Sequence, residues 1–451
     1  MSSIPEITLA ERAAAPAIET VFAAQREAAI ALRTSPAPSR IAKLRKLEAA
    51  ILANRDAIYR ALATDLRKPD AEADLFDILP VISGMRHARR HLKFWMKPKR
   101  VAPTMTMFGT KARIRHEPRG VSLIIAPWNY PISLLLGPLT SAIAAGCPAM
   151  IKPSEMSPAC SALMAKIIRE TFAWQEIAVF EGDAAVSAAL LDLPFDHIFF
   201  TGSPAVGKMV MTAAAKHLAS VTLELGGKSP VIVDETSDVP KAARSVVWGK
   251  FTNCGQTCIA PDYAYVHQSC LPQFVDAAKN AIAKMYGNPA QSPDYCRMIN
   301  QRHFERVSRL IDDAAARGAT TLAGGERDDA QKFIAPTILT GAGDDAAIMQ
   351  EEIFGPVLPV LAYSDLAEPI AAINKRPKPL ALYVYAKDQA RANRVLAETS
   401  AGGSCVNASI MQFGHENLPF GGINNSGLGN AHGFYGFRAF SHERAILEDK
   451  F

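Results

Sequence analysis

The pattern of apolar and polar positions along the chain changes near residue 120. Before that point apolar residues recur every three or four positions, as at Ile41, Leu44, Leu47 and Ile51, which predicts helices over residues 11 to 100. After Gly120, short apolar runs alternate with helical stretches in the order VSLIIAP, SLLLGPLTSAIAAG, AMIKP, DHIFF and VTLEL. Strands that alternate with helices indicate a parallel sheet. The chain is therefore predicted to be an α/β protein.

The same alternation returns in the second half of the chain. A helical segment from Val239 precedes YAYVH, MINQRHFERVSRLIDDAAARG and LALYVYA, which predict a second α/β domain. The glycine- and aromatic-rich stretch from Leu418, LPFGGINNSGLGNAHGFYGFRAFSH, is interpreted as an ordered loop region. A chain of 451 residues is longer than one that folds around a single hydrophobic core, so two or three domains are expected.

Residues 120–151 carry no charge and are numerous enough to cross a bilayer. Four prolines, Pro127, Pro131, Pro138 and Pro148, interrupt the run, and a continuous helix would not tolerate them. A buried strand, helix and second strand is the favoured interpretation. The amino terminus lacks a basic segment followed by an apolar core, and SHERAILEDKF is not an apolar tail, so no signal peptide or membrane anchor is expected.

The net charge of +5 is unevenly distributed, because residues 86–119 hold eleven Lys or Arg side chains against one acid, Glu117. These basic residues alternate with apolar ones as on a solvated helix face, so no nucleic-acid partner is expected. Seven irregularly spaced cysteines do not resemble a disulfide framework. They indicate a reducing compartment, and we expect the cytoplasm.

Two cysteines, Cys254 and Cys258, lie four residues apart in FTNCGQTCIAPDY. A structural zinc site needs a second pair of ligands, which the chain does not provide, so no metal is expected. A disulfide or redox pair is conceivable on one helix face, although a thioredoxin-like motif has two intervening residues instead of three. The fourth alternative is one nucleophile beside an uninvolved cysteine. The remaining cysteines are interpreted as buried and inert: Cys147, Cys160, Cys270, Cys296 and Cys405.

Two polar residues support the nucleophile alternative. Glu224 ends an apolar run in VTLELGGKSP, where a raised pKa would suit a general base, although a surface-loop glutamate is an equal alternative. Asn129 follows a predicted strand in IIAPWNYP, where its amide could donate to an oxyanion, although a turn asparagine is the simpler interpretation.

A dinucleotide site is only weakly indicated by FFTGSPAVGK. The stretch has Gly202 and Gly207 where the usual fingerprint has three glycines. Its context is better, because HIFF predicts a strand and Ser203 could cap the next helix, whose first amides would favour a pyrophosphate.

The motifs IIAPWNYP, KPSE, FTGSPAVG, LELGGKSP, NCGQTC, EEIFGP and LPFGGINNSGLG occur in the order and spacing found in aldehyde dehydrogenases, and the chain resembles that superfamily from about residue 10 to its end. GQTCIAPDY, MINQRHFERV and HGFYGFRAFSH resemble the class 3 branch, which includes fatty, benzaldehyde-type and coniferyl aldehyde dehydrogenases.

The resemblance implies a catalytic role for three residues. Cys258 matches the nucleophile and is expected to have a lowered pKa, Glu224 matches the base that activates water, and Asn129 matches the oxyanion donor; Cys254 becomes the bystander. The implied reaction is NAD(P)-dependent oxidation of an aromatic, cinnamyl or medium- to long-chain aliphatic aldehyde to the acid. A coenzyme A-acylating enzyme and a non-enzymatic binding protein are the alternatives.

The resemblance also assigns binding residues. Lys152 and Glu155 would hold the adenosine ribose, Trp128 would line the cofactor cleft, and Glu352 and Phe354 would hold the nicotinamide ribose and ring. NAD is the expected cofactor, with NADP as the alternative. Tyr130 and Trp248 match aromatic positions of the substrate entrance, although core packing explains them too. The family usually has a small residue where this chain has Asn424, which leaves that loop's backbone undetermined.

The architecture implied by the resemblance has a Rossmann-type cofactor domain, an α/β catalytic domain and a β-hairpin oligomerisation element. The corresponding ranges are 1–102 and 119–224 for the cofactor domain, 225–407 for the catalytic domain, 103–118 and 408–422 for the bridging element, and 423–451 for a carboxyl-terminal segment. Class 3 relatives are typically dimers, so a homodimer is expected.

Overall fold

The computed structural model describes residues 17–449, so the prediction that no signal peptide is present falls outside the described residues. The helices of the described chain are α1 Ile18–Leu32, α2 Ala37–Ala53, α3 Arg55–Leu66, α4 Asp70–Glu72, α5 Leu79–Trp95, α6 Ser133–Ala145, α7 Pro158–Thr171, α8 Ala184–Leu191, α9 Pro204–Ala215, α10 Val239–Phe251, α11 Leu271–Tyr286, α12 Gln301–Ala316, α13 Ala347–Gln350, α14 Ala367–Asn374, α15 Gln389–Glu398 and α16 Gly433–Ala439. A π-helical turn, Ala73–Ile78, joins α4 to α5.

Its strands are β1 Lys99–Val101, β2 Lys111–Pro118, β3 Ser122–Ile125, β4 Ala149–Lys152, β5 Ile177–Val179, β6 His197–Thr201, β7 Ser220–Glu224, β8 Pro230–Val233, β9 Tyr263–His267, β10 Thr320–Ala323, β11 Arg327–Asp328, β12 Phe333–Ile334, β13 Thr337–Thr340, β14 Val357–Tyr363, β15 Ala381–Tyr385, β16 Gly403–Val406, β17 Gly427–Leu428 and β18 Ser441–Glu448. The apolar runs of the sequence correspond to six of these strands, β3, β4, β6, β7, β9 and β15, whereas the other strands were not predicted.

The first parallel sheet has the order β17-β7-β6-β3-β4-β5, with only β17 antiparallel. The chain moves outward from β3 through β4 to β5, then returns to place β6 on the other side of β3. Ligands of open α/β sheets bind at such a reversal, beyond the carboxyl ends of the strands. Asn129 follows β3 and Gly202 follows β6, so both lie at this reversal.

The uncharged run of residues 120–151 forms β3, α6 and β4, as predicted, and nearly all of it is buried. Apolar residues cover all sides of α6 because it packs between the sheet and α5. Within residues 17–449, no helix has both the length and the apolar character needed to cross a bilayer.

The second sheet has the order β10-β13-β14-β9-β8-β15-β16 and is parallel except for β10. Its central strands, β8, β9 and β15, are buried along their whole length, which explains their continuous apolar sequences. Helix α10 leads from this sheet toward the predicted nucleophile.

A third, antiparallel sheet has the order β1-β2-β18. Strand β2 pairs with β1 on one side and with β18 on the other, the latter over the register Ser441↔Pro118 to Glu448↔Lys111. We expected residues 408–422 to join this hairpin, but the structure places them at the edge of a cavity, and the carboxyl-terminal strand takes their position. The stretch from Leu418 is also more regular than predicted, since it contains β17, α16 and β18.

Basic side chains of α5 pair locally with an acid on α2. Arg86 and Arg89 both contact the carboxylate of Glu48, and the Arg86 Nε to Glu48 Oε1 distance is 2.7 Å. Part of the uneven positive charge is therefore neutralised within the helical layer.

Candidate active site

A cavity of about 520 Å³ lies beyond the carboxyl ends of the first sheet. Nine of the residues predicted from the sequence line it: Trp128, Asn129, Gly202, Ser203, Glu224, Trp248, Cys258, Glu352 and Phe354. Four other predicted residues do not line it: Tyr130, Lys152, Glu155 and Gly207. The structure thus brings the proposed nucleophile, base and oxyanion donor to one cavity.

The nucleophile loop, residues 252–258, has an unusual backbone. Asn253 and Cys254 adopt left-handed φ angles of 53° and 54°, and Gly255 follows at 71°. A Cβ atom at Gly255 would lie 2.3 Å from the Gly355 carbonyl oxygen, so only glycine fits there. This backbone turns Cys258 into the cavity, whereas the Cys254 thiol points away from it toward the Tyr295 hydroxyl, 3.6 Å distant.

The electrostatic setting of Cys258 differs from the expected one. Burial, together with the nearby carboxyl groups of Glu352 and Glu224, raises the pKa of the Cys258 thiol to about 12. The expectation of a lowered pKa was wrong for this structure, because the sequence motif does not reveal that two acids face the same sulfur.

Glu224 is the last residue of β7 and is 5% exposed. Both of its carboxyl oxygens are buried, and neither has a hydrogen-bond partner among the described residues. Desolvation raises the pKa of Glu224 well above its ordinary value. A buried carboxyl group without a partner is costly unless it has a function, and a general base needs such a raised pKa.

Asn129 lies in the turn after β3 and is 3% exposed. Its side-chain Nδ2 donates one hydrogen bond to the Gln256 carbonyl, at 3.0 Å, and its second N–H remains for an oxygen in the cavity. Gln256 is fixed in turn, because its Nε2 donates to the carbonyl oxygens of Asn253 and Arg297. The amide of Asn129 is therefore held in place beside the nucleophile loop.

The predicted nicotinamide residues form a second wall of the cavity. The Trp128 and Phe354 rings meet edge to face at 5.4 Å. Burial raises the pKa of Glu352 to about 8, and its Oε1 has no partner among the described residues. A Cβ atom at Gly226 would lie 2.2 Å from Glu352 Oε2, so the backbone passes close to this carboxyl group.

The segment expected to bind the pyrophosphate forms the amino terminus of helix α9, as predicted. The hydroxyl of Ser203 accepts a hydrogen bond from the Val206 amide at 3.4 Å, which caps α9. A Cβ atom at Gly207 would lie 2.6 Å from a Leu225 side-chain carbon, so this glycine permits close packing of α9 on the sheet. The capped helix, the glycines and the orphaned Glu352 oxygen together fit a dinucleotide.

Lys152 and Glu155 form an ion pair beside this site. Lys152 is the last residue of β4 and is buried, and its Nζ lies 2.9 Å from Glu155 Oε2. The Glu155 side chain is 42% exposed, so its carboxylate remains accessible for a ribose hydroxyl.

The aromatic residues assigned to the substrate separate into two groups. Trp248 lines the cavity, whereas Tyr130 is buried and its hydroxyl contacts Thr257 Oγ1 at 2.6 Å. Phe76 lies between them, with ring centroids 5.8 Å from Trp248 and 5.9 Å from Tyr130. Sequence reasoning missed Phe76, which lies among acidic residues in DAEADLFDILP and belongs to no motif.

Other cavity residues were also missed. The polar residues His303, Arg306 and Glu416 line part of the wall. The rest is strongly apolar, with side chains from the π-helical turn, α5, α6 and residues 410–420: Leu75, Leu79, Val81, Leu134, Ile410, Met411, Phe413 and Phe420. Residues 410–417 carry no motif, so only the fold places this part of the segment here. Asn424, whose loop was undetermined, adopts a left-handed φ of 55°, which asparagine tolerates.

Within residues 17–449, no group of three or more His, Cys, Asp or Glu side chains is arranged to hold a metal ion. A cysteine, an unpartnered carboxyl group and an amide donor share a cavity at the strand-order reversal of an α/β sheet. Fold and site together define the class of nicotinamide-dependent oxidoreductases that act through a cysteine.

Comparison with known proteins identifies the family of this chain. The aldehyde dehydrogenase family model matches residues 5–446, and the chain belongs to this family. It is 45% identical over 406 residues to the 4,4'-diaponeurosporen-aldehyde dehydrogenase of Staphylococcus aureus, covering 90% of this chain and 88% of that protein. It is 43% identical over 424 residues to aldehyde dehydrogenase family 3 member B1 of Rattus norvegicus, covering 94% and 89%.

The fold is also matched by a solved structure, the substrate-bound state of Staphylococcus aureus AldH. The two chains superpose with a TM-score of 0.93 at 43% identity, covering 96% of this chain and 94% of the other. The predicted superfamily, its class 3-like branch and the fold class are thereby confirmed. The protein is an aldehyde dehydrogenase, an oxidoreductase that uses NAD or NADP.

Proposed function

We propose that the protein oxidises an apolar aldehyde to its carboxylic acid, with NAD as the preferred cofactor, through an acyl group carried on Cys258. The observation that carries this proposal is the convergence of Cys258, Asn129 and the unpartnered carboxyl group of Glu224 on one cavity.

In the first half-reaction, the Cys258 sulfur bonds to the aldehyde carbon and the thiol proton passes to solvent water. The carbonyl oxygen becomes an oxyanion, which the second N–H of the Asn129 amide stabilises together with the main-chain N–H of Cys258. A bound nicotinamide supplies the acceptor for the hydride of the aldehyde carbon. The acyl group then remains joined to Cys258 as a thioester.

In the second half-reaction, Glu224 takes a proton from water, and the hydroxide adds to the thioester carbonyl. The bond between the acyl carbon and the Cys258 sulfur breaks, the acid leaves, and the resulting thiolate takes the proton from Glu224 to become a thiol again. Glu224 fits this role because its carboxyl oxygens have no partner among the described residues that would compete for the water proton.

The substrate is proposed to be apolar because aromatic and aliphatic side chains dominate the cavity wall, including Phe76, Trp248 and Phe413. Such a wall suits aromatic, cinnamyl and longer aliphatic aldehydes alike. Comparing kcat/KM over these three aldehyde classes, with acetaldehyde as the small polar control, tests this; a preference for acetaldehyde would contradict it.

The preference for NAD follows from Glu155. Its carboxylate would accept a hydrogen bond from the ribose 2′-hydroxyl of NAD and would repel the 2′-phosphate of NADP. Lys152, 2.9 Å away, weakens the repulsion, so NADP is proposed as a poorer cofactor.

The decisive experiment is NADH formation with an aldehyde in the absence of coenzyme A. Turnover to the acid under these conditions supports the proposal. A requirement for coenzyme A would favour the acyl-transferring alternative, and absence of turnover with every aldehyde would favour a binding role.

We further propose that the protein is a homodimer of the cytoplasm. The β1-β2 connection exposes two large apolar side chains, Met105 at 95% and Phe108 at 91%, and a partner subunit would cover them. Sedimentation equilibrium of the wild type should give twice the chain mass, and the Met105→Asp/Phe108→Asp variant should give the chain mass. A monomeric wild type would contradict the proposal.

A further inference from the structure

A fully buried ion pair lies behind Asn129. The Lys68 ammonium is 2.7 Å from Asp77 Oδ2, and both side chains are completely shielded from solvent. Burying two charges is costly, and apolar residues of similar volume often stabilise a protein as well or better. Neither residue lines the cavity, so the pair does not contact substrate directly.

The remaining hydrogen bonds of the pair converge on the turn after β3. Lys68 Nζ donates to the main-chain carbonyl of Asn129 at 3.0 Å and lies 4.2 Å from the centre of the Tyr130 ring. Asp77 Oδ1 accepts from the Ile132 amide at 3.3 Å. The pair therefore fixes both ends of the four-residue segment that begins with the proposed oxyanion donor.

The same carbonyl connects the pair to the nucleophile loop. Asn253 Nδ2 donates to the Asn129 carbonyl at 3.0 Å, so this oxygen accepts from both Lys68 and Asn253. Asn253 is one of the two non-glycine residues of the loop with a left-handed backbone. Such a conformation persists only where surrounding contacts determine it, and this hydrogen bond is one of those contacts.

Two local backbone irregularities bring the pair together. Lys68 follows Arg67, which ends α3 in a left-handed conformation with φ 52°. Asp77 belongs to the π-helical turn Ala73–Ile78, a feature that often occurs at functional sites. Both irregularities belong to the helical layer. In the sequence they lie far from the motifs that carry the chemistry, although in space they contact the turn of Asn129.

We propose that Lys68, held by Asp77, is a positioning residue that sets the orientation of the Asn129 amide and the shape of the nucleophile loop. It acts through the Asn129 main-chain carbonyl and not on the substrate. This inference rests on the proposed role of Asn129 as the oxyanion donor.

The test is a mutant cycle measured on the full-length enzyme. Lys68→Met/Asp77→Asn removes both charges together, and the asparagine oxygen keeps an acceptor for the Ile132 amide. We expect kcat to fall about tenfold to a hundredfold, because small displacements of an oxyanion donor cost rate rather than binding. The KM for NAD should stay within about twofold, since the cofactor wall is not contacted. Lys68→Arg, which keeps the charge, should recover part of kcat.

The cycle is completed in the Asn129→Ala background. If the pair acts through Asn129, replacing it there should change kcat by less than about threefold, because residues that act as one unit are not additive. Arg391→Met is the matched control: Arg391 pairs with the buried Asp234 on the second sheet, 2.7 Å away, and its loss should leave kcat unchanged.

The outcomes distinguish the role of the Lys68–Asp77 pair from the role of Asn129. An unchanged kcat in Lys68→Met/Asp77→Asn, or an equal loss with and without Asn129, would overturn the inference while leaving the oxyanion role intact. An unchanged kcat in Asn129→Ala alone would overturn that role and this inference together.

Discussion

Replacing Glu224 by glutamine tests the order of the two half-reactions. The side chain is 5% exposed and its oxygens have no hydrogen-bond partner among the described residues, so the substitution removes no such bond and keeps the volume. We expect the free energy of unfolding to change by less than about 1 kcal/mol. The variant should therefore fold and bind NAD like the wild type.

The effect on chemistry is expected to be large and confined to deacylation. Removing a general base costs roughly a hundredfold to ten-thousandfold, or about 3 to 5 kcal/mol of transition-state free energy. Attack by Cys258 and thioester formation should continue. Stopped-flow absorbance should then show a burst of about one NADH per active site followed by near arrest, and mass spectrometry should find the acyl group on Cys258.

The control is Glu181→Gln, which makes the same change at a surface carboxylate paired with Arg169 at 3.2 Å, and should turn over normally. A folded Glu224→Gln variant that binds NAD but gives neither burst nor adduct would refute the reasoning. Glu224 would then be needed to take the thiol proton in the first half-reaction.

Three further outcomes are expected. Cys258→Ala should abolish oxidation while NAD still binds in a fluorescence titration. Cys254→Ala should keep most of the activity, because the Cys254 thiol points toward Tyr295 and away from the cavity; if both variants were equally inactive, Cys254 would be essential. Because the pKa of Cys258 is raised to about 12, its alkylation by iodoacetamide in the cofactor-free enzyme should accelerate about tenfold per pH unit between pH 7 and 10, and a plateau near pH 7 would contradict the raised pKa. Glu155→Gln should raise kcat/KM for NADP about tenfold, since it removes a carboxylate that repels a 2′-phosphate; an unchanged ratio of NADP to NAD would show that Glu155 does not set the preference.

The central parallel strands and the motif residues of the cavity were predictable because their signals are local. Buried parallel strands such as β3 and β9 are apolar throughout, and family motifs mark the residues at their ends. The helix α16 and strand β18 were missed for a local reason as well. GFYGFRA contains two glycines, which weaken helix propensity, and only Ser441 of β18 is buried, so this strand has no apolar alternation.

The Lys68–Asp77 pair shows what sequence reasoning could not provide. In a helical stretch rich in Lys, Arg and Asp, a charged residue is ordinarily solvated, and nothing local distinguishes these two. Their burial depends on a left-handed cap, a π-helical turn and the packing of α6, all of which are tertiary features. Likewise, the pKa of Cys258 depends on acids that lie 34 and 94 positions from it in the chain.

The acids that face Cys258 also constrain the order of proton movements. A thiolate beside two carboxylates in a buried cavity is costly, which is why the pKa of the thiol is raised. A protonated Glu224 adds no charge beside the sulfur, so the thiolate costs less while Glu224 keeps its proton and the thiol proton leaves to solvent water. Once the sulfur is part of a thioester it carries no charge, so Glu224 can lose the proton again and act as the base for water. The raised pKa of Glu224 thus suits a group that is protonated while Cys258 attacks and deprotonated when water attacks, and the neutral glutamine of Glu224→Gln should permit the first of these steps but not the second.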